Sequence, residues 1–266
     1  MEIIKLWDAV PGFVEGQHEP ILEYYPATVK KGDGAIVIFP GGGYSHRANH
    51  EGEGYALYLN SLGLDCFVCE YRVAPYTYPY PLLDARRAVR YVRANAAKFG
   101  IDPEKIAVMG SSAGGHLAAS TAVYRERLDG EGVDELDGEC YIPNAQILCY
   151  PVTYSFGHLG SYKNLYGTAN CEDGGFEDFK KKLDPIAHVK EDSPKAFIWH
   201  TEVDTCVDIS GTYEYAAALH RAGVRTELHV YPEGHHGLGL AEKLPFVARW
   251  ANDLAAWLKH ENFITE

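Results

Sequence analysis

The pentad Gly110-Ser111-Ser112-Ala113-Gly114 sets a serine between two glycines in the spacing G-x-S-x-G. In a chain of 266 residues that spacing alone is a weak signal, and its flanks strengthen it. An apolar run at 106–109 enters the pentad, and an alanine-rich stretch with Gly115, Leu117, Ala118 and Ala119 leaves it. A strand turning sharply into a helix lifts a serine hydroxyl above a sheet and points the helix N-terminus, with its free N–H groups, at an oxyanion formed there. So tight a turn leaves no room for a Cβ at Gly110 or Gly114. The chemistry on offer is nucleophilic acyl transfer, for which a hydroxyl needs an adjacent base.

Two candidate bases stand in Pro232-Glu233-Gly234-His235-His236-Gly237-Leu238, after an apolar stretch at 228–231. Neighbouring loop residues point in different directions, so one histidine can face Ser112. His236 is favoured over His235 because Gly237 allows a close approach. A carboxylate must then hold the imidazole tautomer and stabilise the imidazolium. Asp204, in Thr201-Glu202-Val203-Asp204-Thr205-Cys206-Val207-Asp208, lies just past an apolar stretch at 196–200, where α/β folds place functional groups; Glu202 and Asp208 compete with it. Oxyanion donors are expected from the Ala113 N–H and from Gly42 and Gly43 in Pro40-Gly41-Gly42-Gly43-Tyr44.

Cofactor and metal chemistry find no support. No G-x-x-x-x-G-K-[ST] or G-x-G-x-x-G pattern opens a helix, and the His235–His236 pair lacks a third ligand. Cys66-x-x-Cys69 reads as part of a strand, where positions three apart face opposite ways, so buried free thiols are expected there.

Positioning these groups requires a frame. Short continuous apolar runs at 35–39 and 106–109, with further stretches at 66–70, 146–150, 196–200 and 226–231, read as strands. Helical periods lie between them at 51–62, 82–99, 114–127 and 210–222, with a last one at 244–258. Pro81 suits the start of the second helix and Gly100 its stop. This alternation predicts an α/β fold with a mostly parallel central sheet and helices on both faces. One domain over 1–266 is expected, with a small lid or excursion at 152–194 containing a short helix near 176–183.

The composition, 46% apolar and 23% charged, suffices for a full core. A net charge of −13 disfavours nucleic acid and anionic membrane surfaces as partners. No apolar run approaches the roughly 20 residues of a membrane span, and no basic-then-apolar leader opens the chain. With six cysteines and no disulfide framework, a cytoplasmic location is expected.

Four segments together resemble the α/β-hydrolase superfamily, and within it the acetyl esterase and acetylxylan-esterase-like carbohydrate esterases. They are Phe39-Pro40-Gly41-Gly42-Gly43-Tyr44, Gly110 to His116, His200-Thr201-Glu202-Val203-Asp204, and Gly234 to Leu240; Tyr71-Arg72-Val73-Ala74-Pro75 adds to the likeness. Ser112, Asp204, His236 is the chain order of that superfamily. The resemblance implies a serine esterase removing short acyl groups, often acetyl, from sugars or small alcohols. It also supports His236 over His235, since the family's histidine directly precedes Gly-Leu. Pro40, where many lipase-like members carry histidine, sets the chain apart from the hormone-sensitive-lipase-type branch. The expected partner is a small ester, such as an acetylated oligosaccharide. A serine peptidase or amidase of the same fold, and a non-catalytic binding module, are the alternatives. Tyr44, Tyr76, Tyr78, Tyr80, Tyr154, Tyr162 and Tyr166 could stack on sugar rings at the mouth or serve as packing.

Overall fold

The computed structural model describes residues 1–172 and 174–265. In chain order its elements are β1 (Glu2–Lys5), β2 (Ile21–Tyr25), β3 (Ala35–Phe39), α1 (Glu53–Ser61), β4 (Asp65–Glu70), α2 (Tyr80–Ala94) and α3 (Ala96–Phe99). There follow β5 (Ile106–Ser111), α4 (Ser112–Val123), β6 (Ala145–Cys149), α5 (Leu159–Tyr166) and α6 (Phe176–Lys182). The chain closes with β7 (Lys195–Thr201), α7 (Ser210–Arg221), β8 (Thr226–Tyr231) and α8 (Arg249–His260).

The strands form one eight-stranded sheet in the order β1-β2-β4-β3-β5-β6-β7-β8. From β4 to β8 every pairing is parallel, as the alternation of apolar runs and helical periods predicts. The two N-terminal strands, which the sequence pattern does not reveal, add an antiparallel edge. β1 is four residues long with one of them buried, and β2 mixes Glu23 and two tyrosines, so neither has a clean period.

Alternate residues of a strand serve opposite faces. Ala35, Val37 and Phe39 of β3 join one apolar layer with Leu82, Val89, Leu117 and Leu219 of α2, α4 and α7. Ile36 and Ile38 join the other, with Tyr55, Leu59, Trp250 and Leu254 of α1 and α8. Cys66 and Cys69 of β4 are buried free thiols in opposite layers, as the strand reading of that pair requires. The chain leaves β3 toward β4 on one side and returns to β5 on the other. The crevice above the β3 and β5 carboxyl ends is therefore the switch point at which such sheets bind ligands.

Three helices depart from the sequence pattern, among them α4, which spans Ser112–Val123 rather than 114–127. The period at 82–99 is interrupted at Asn95, which caps α2 before the short α3, and Gly100 then ends the pair in a left-handed conformation (φ 63°). The C-terminal helix begins at Arg249 rather than near 244, because Leu244 to Ala248 makes turns that place Val247 in the core. Behind the switch point, Arg72 is fully buried and forks onto Asp84 of α2, with Nε and Nη2 donating at 2.8 Å, while Trp7 Nε1 donates to the same carboxylate at 2.9 Å.

The stretch between β6 and β7, expected as a lid or excursion at 152–194, carries α5, α6 and short 3₁₀ turns; Asp173 within it lies outside the described residues. It is strapped to the sheet through His116 of α4. Leu183 O lies 2.9 Å from His116 Nε2 and accepts its proton, so Nδ1 accepts from the Tyr44 hydroxyl at 2.7 Å. Burial holds this imidazole neutral, pushing its pKa from 6.5 down to about 4. The unfolded chain then binds more protons than the folded one between those values, so stability falls as pH drops through that window. From pH 7 to 4.5 the loss from this group is on the order of 2–3 kcal/mol. Urea unfolding at both pH values should show a smaller acid loss for His116→Gln than for the parent. Equal losses would mean His116 is not the titrating strap.

Candidate active site

Ser112 is the first residue of α4, directly after β5, and its φ of 54° is rare for a side-chain-bearing residue. The backbone holds that strained turn by close contacts. A Cβ on Gly110 would lie 2.1 Å from Gly114 O, and one on Gly114 would lie 2.1 Å from Phe39 O. Only glycine fits at either position, which is the physical content of the G-x-S-x-G spacing. The helix begins at the serine itself, two residues before the sequence pattern starts it, so the Ala113 N–H lies in the first turn, where no intrahelical acceptor exists.

Three distant segments meet here. His236 Nε2 lies 2.8 Å from Ser112 Oγ, and His236 Nδ1 lies 2.6 Å from Asp204 Oδ2. His235 turns away, exposed, its Nδ1 at 2.6 Å from the His236 carbonyl. Asp204 follows β7, and its second oxygen accepts from the N–H groups of Cys206 (2.8 Å) and Val207 (2.9 Å). Of its competitors, Glu202 accepts from the Tyr213 hydroxyl and Asp208 from Ser210 N at the start of α7; both are exposed.

A third histidine, without a role in the sequence reading, completes the shell around Asp204. His200, at the end of β7 and fully buried, has Nε2 3.2 Å from Asp204 Oδ2 and Nδ1 2.8 Å from Thr212 Oγ1. Burial opposes the charge on Asp204, but hydrogen bonds from His200, His236 and Val207 N outweigh it and hold the carboxyl well below its ordinary range.

The glycine loop after β3 runs beside the serine: a Cβ on Gly41 would sit 3.1 Å from Ser112 Cβ. Gly42 (φ 128°) and Gly43 (φ 62°) take conformations that side chains avoid. Neither N–H has an acceptor among the described residues, which leaves them open for an oxyanion. Their carbonyls are tied instead, Gly42 O by Ser45 N at 3.0 Å and Gly43 O by Asn164 Nδ2 of α5 at 2.8 Å.

Beneath the site lies a buried polar cluster that the sequence pattern misses, since it reads Glu51 as the start of a helix. Glu51, 3% exposed, accepts from Gly41 N at 2.8 Å and from the Tyr150 hydroxyl at 2.6 Å. Tyr150 in turn accepts from Gly239 N at 2.9 Å, in the histidine loop. Tyr55 lies between the Tyr150 hydroxyl (3.2 Å) and Ser111 Oγ (2.9 Å). Burial and the Glu51 charge push the Tyr150 phenol well above its ordinary pKa, so it stays a donor.

His158, just before α5, accepts from Ser161 N at 3.2 Å and lies beside Gly43. Burial, and then the neighbouring His236, push its pKa down against the pull of Asp204. Of the tyrosines considered for sugar stacking, Tyr44, Tyr76 and Tyr162 are buried in the packing, while Tyr78, Tyr80, Tyr154 and Tyr166 are half-buried. Among the described residues no group of three or more His, Cys, Asp or Glu side chains is placed to hold a metal ion, and no helix is long and apolar enough to cross a membrane.

A family model described as alpha/beta hydrolase fold matches residues 36–240. The crystal structure of an acetyl ester-xyloside bifunctional hydrolase from Caldicellulosiruptor lactoaceticus superposes with a TM-score of 0.88 at 38% identity, covering 99% of this chain and 97% of that one. In sequence, the chain is 31% identical over 234 residues to the acetylxylan esterase of Xylanibacter ruminicola, covering 85% of this chain and 45% of that protein. It is 34% identical over 224 residues to endo-1,4-beta-xylanase B of Butyrivibrio fibrisolvens, covering 81% of this chain and 34% of that protein. The chain thus spans between a third and a half of the length of these two curated relatives.

Proposed function

This chain belongs to the α/β-hydrolase family, and on that premise we propose that it is a serine hydrolase of carboxylic esters. Its substrates are short acyl esters, acetyl foremost, of carbohydrates or small alcohols. The observation that carries the reading is the continuous run of hydrogen bonds from Ser112 Oγ through His236 to Asp204. The acetylxylan esterase and acetyl ester-xyloside hydrolase among its relatives support an acetylated saccharide as substrate.

In this mechanism His236 Nε2 takes the Ser112 proton as Oγ attacks the ester carbonyl, and Asp204 stabilises the imidazolium. The N–H groups of Ala113, Gly42 and Gly43 receive the oxyanion. His236 then protonates the departing alcohol. Water, activated by the same imidazole, attacks the acyl-serine and releases the acid. No step calls on a cofactor. Glycosidic cleavage would call for two carboxyl groups flanking the scissile bond, whereas Asp204 and Glu51 are each buried and committed to neighbouring donors. The six free thiols fit a reducing compartment, and we place the reaction in the cytoplasm.

The test is a substrate panel. We expect kcat/KM to be highest for p-nitrophenyl acetate, to fall through butyrate to longer acyl chains, and acetate to be released from acetylated xylo-oligosaccharides. Cleavage of p-nitroacetanilide at a rate comparable with the ester would move the assignment to an amidase. No turnover of any of these, with no labelling by an organophosphonate, would leave a binding module.

A further inference from the structure

Asp204 Oδ2 faces two imidazoles, His236 Nδ1 at 2.6 Å and His200 Nε2 at 3.2 Å, and this sharing has a chemical consequence. We propose that His200 is a positioning residue that donates its Nε2 proton to Asp204 and thereby sets how strongly Asp204 holds the His236 imidazolium. The inference rests on the proposed roles of Asp204 and His236.

An ionised carboxylate only accepts hydrogen bonds, so a proton must sit on His200 Nε2. The Thr212 hydroxyl, 2.8 Å from His200 Nδ1, can then donate to that nitrogen and fix the tautomer. His200 and Thr212 are both fully buried, so neither meets water. With Oδ1 already engaged by Cys206 N and Val207 N, Oδ2 divides its remaining hydrogen-bonding capacity between the two imidazoles. Each donor stabilises the carboxylate charge and leaves less of it for the other. Removing the His200 donor therefore concentrates that charge on His236 and favours its protonated form.

The other groups around the pair come from every neighbouring element. His158 faces it from the segment before α5, its own pKa pushed down by burial and then by His236. The Tyr150 ring packs edge-on to His236 at 5.1 Å, and Ser112 closes the line at Nε2. Cys206 and Asp208 lie in the Asp204 loop, Cys206 with its thiol pushed up by burial and by Asp204, Asp208 held low by the Ser210 hydrogen bonds. None of these touches Oδ2 among the described residues, so His200 is the group that competes there with His236.

The experiment compares the acid limb of kcat/KM for p-nitrophenyl acetate in the parent, His200→Leu and His200→Gln. Leucine removes the donor, and the limb should move up by about 0.5–1 pH unit. Glutamine can present an N–H near the Nε2 position, and its limb should stay with the parent. Nitrogen-15 NMR of the parent's histidine rings reads the tautomer directly, so the proposal is tested even if the leucine variant does not fold. The proton of His200 should be found on Nε2. An acid limb unmoved in His200→Leu, a limb moved equally by both substitutions, or a His200 proton on Nδ1 would each overturn the assignment. The NMR result does not depend on turnover, so it decides the role of His200 even should the proposed reaction fail.

Discussion

Ser112→Ala should lower kcat for p-nitrophenyl acetate by about 10⁵- to 10⁶-fold, the range seen when a triad nucleophile is removed. The substitution deletes one atom, Oγ, that meets His236 Nε2 at 2.8 Å, and no other hydroxyl among the described residues is hydrogen-bonded to that nitrogen. Ser111 Oγ is turned under the sheet onto Tyr55 at 2.9 Å and is fully buried. The Ala113, Gly42 and Gly43 N–H groups would survive the change, so residual activity of roughly 10³ over water is expected from them and from binding. Unfolding temperature should barely move, because a Cβ is already accommodated at that φ. Initial rates on pure protein, with mass spectrometry after organophosphonate treatment, read both effects. A variant that keeps a tenth of the parent rate would remove Ser112 from the chemistry.

Asp204→Asn should cost about 10⁴ in kcat, through tautomer rather than charge alone. The Cys206 and Val207 N–H groups demand an acceptor on their side of the residue, so the amide oxygen must take the Oδ1 place. The amide NH₂ is thereby turned onto His236 and His200, where both imidazoles now donate. His236 Nδ1 has to become an acceptor, its proton moves to Nε2, and the nitrogen facing Ser112 can no longer take a proton. The loss should be seen in kcat with KM little changed, since no contact with substrate is altered. A KM effect with kcat intact would point to a role for Asp204 in binding.

Much of this arrangement is legible in the sequence. The serine turn announces itself because two backbone contacts near 2.1 Å exclude every residue but glycine at positions 110 and 114, and that constraint leaves a fixed spacing. His236 could be chosen over His235 from the glycine that follows it. The sheet is readable from β3 to β8; β3 to β7 are buried on both faces as largely apolar runs, and β8 is a half-buried edge strand. What escaped has a common cause. β1 is a four-residue edge strand with one buried residue, and β2, paired between β1 and β4, mixes polar and apolar residues without a clean period. Glu51 and Tyr150 are polar residues inside the protein, and their meaning depends on partners 99 positions apart. His200 lies four residues before Asp204 on a strand exit, and nothing in the sequence says that the chain curls back to bring them together.

The Glu51 carboxylate and the Tyr150 phenol give the molecule a hub shared by loops from three regions of the chain. Gly41 hangs from it on one side, Gly239 on another, and Ser111 through Tyr55 on a third. Loosening any one loop leaves a buried acceptor or donor without its partner, at a penalty of about 1–3 kcal/mol for each group stranded. The surface loops of such a catalyst would ordinarily breathe independently, each at its own rate. Here the amides proposed to receive the oxyanion and the imidazole proposed as the base share one underlying anchor, so fluctuations that disturb one tend to disturb the others. Their alignment belongs to a single cooperative unit, and a fault in that anchor would spoil the geometry without touching a residue that meets the substrate.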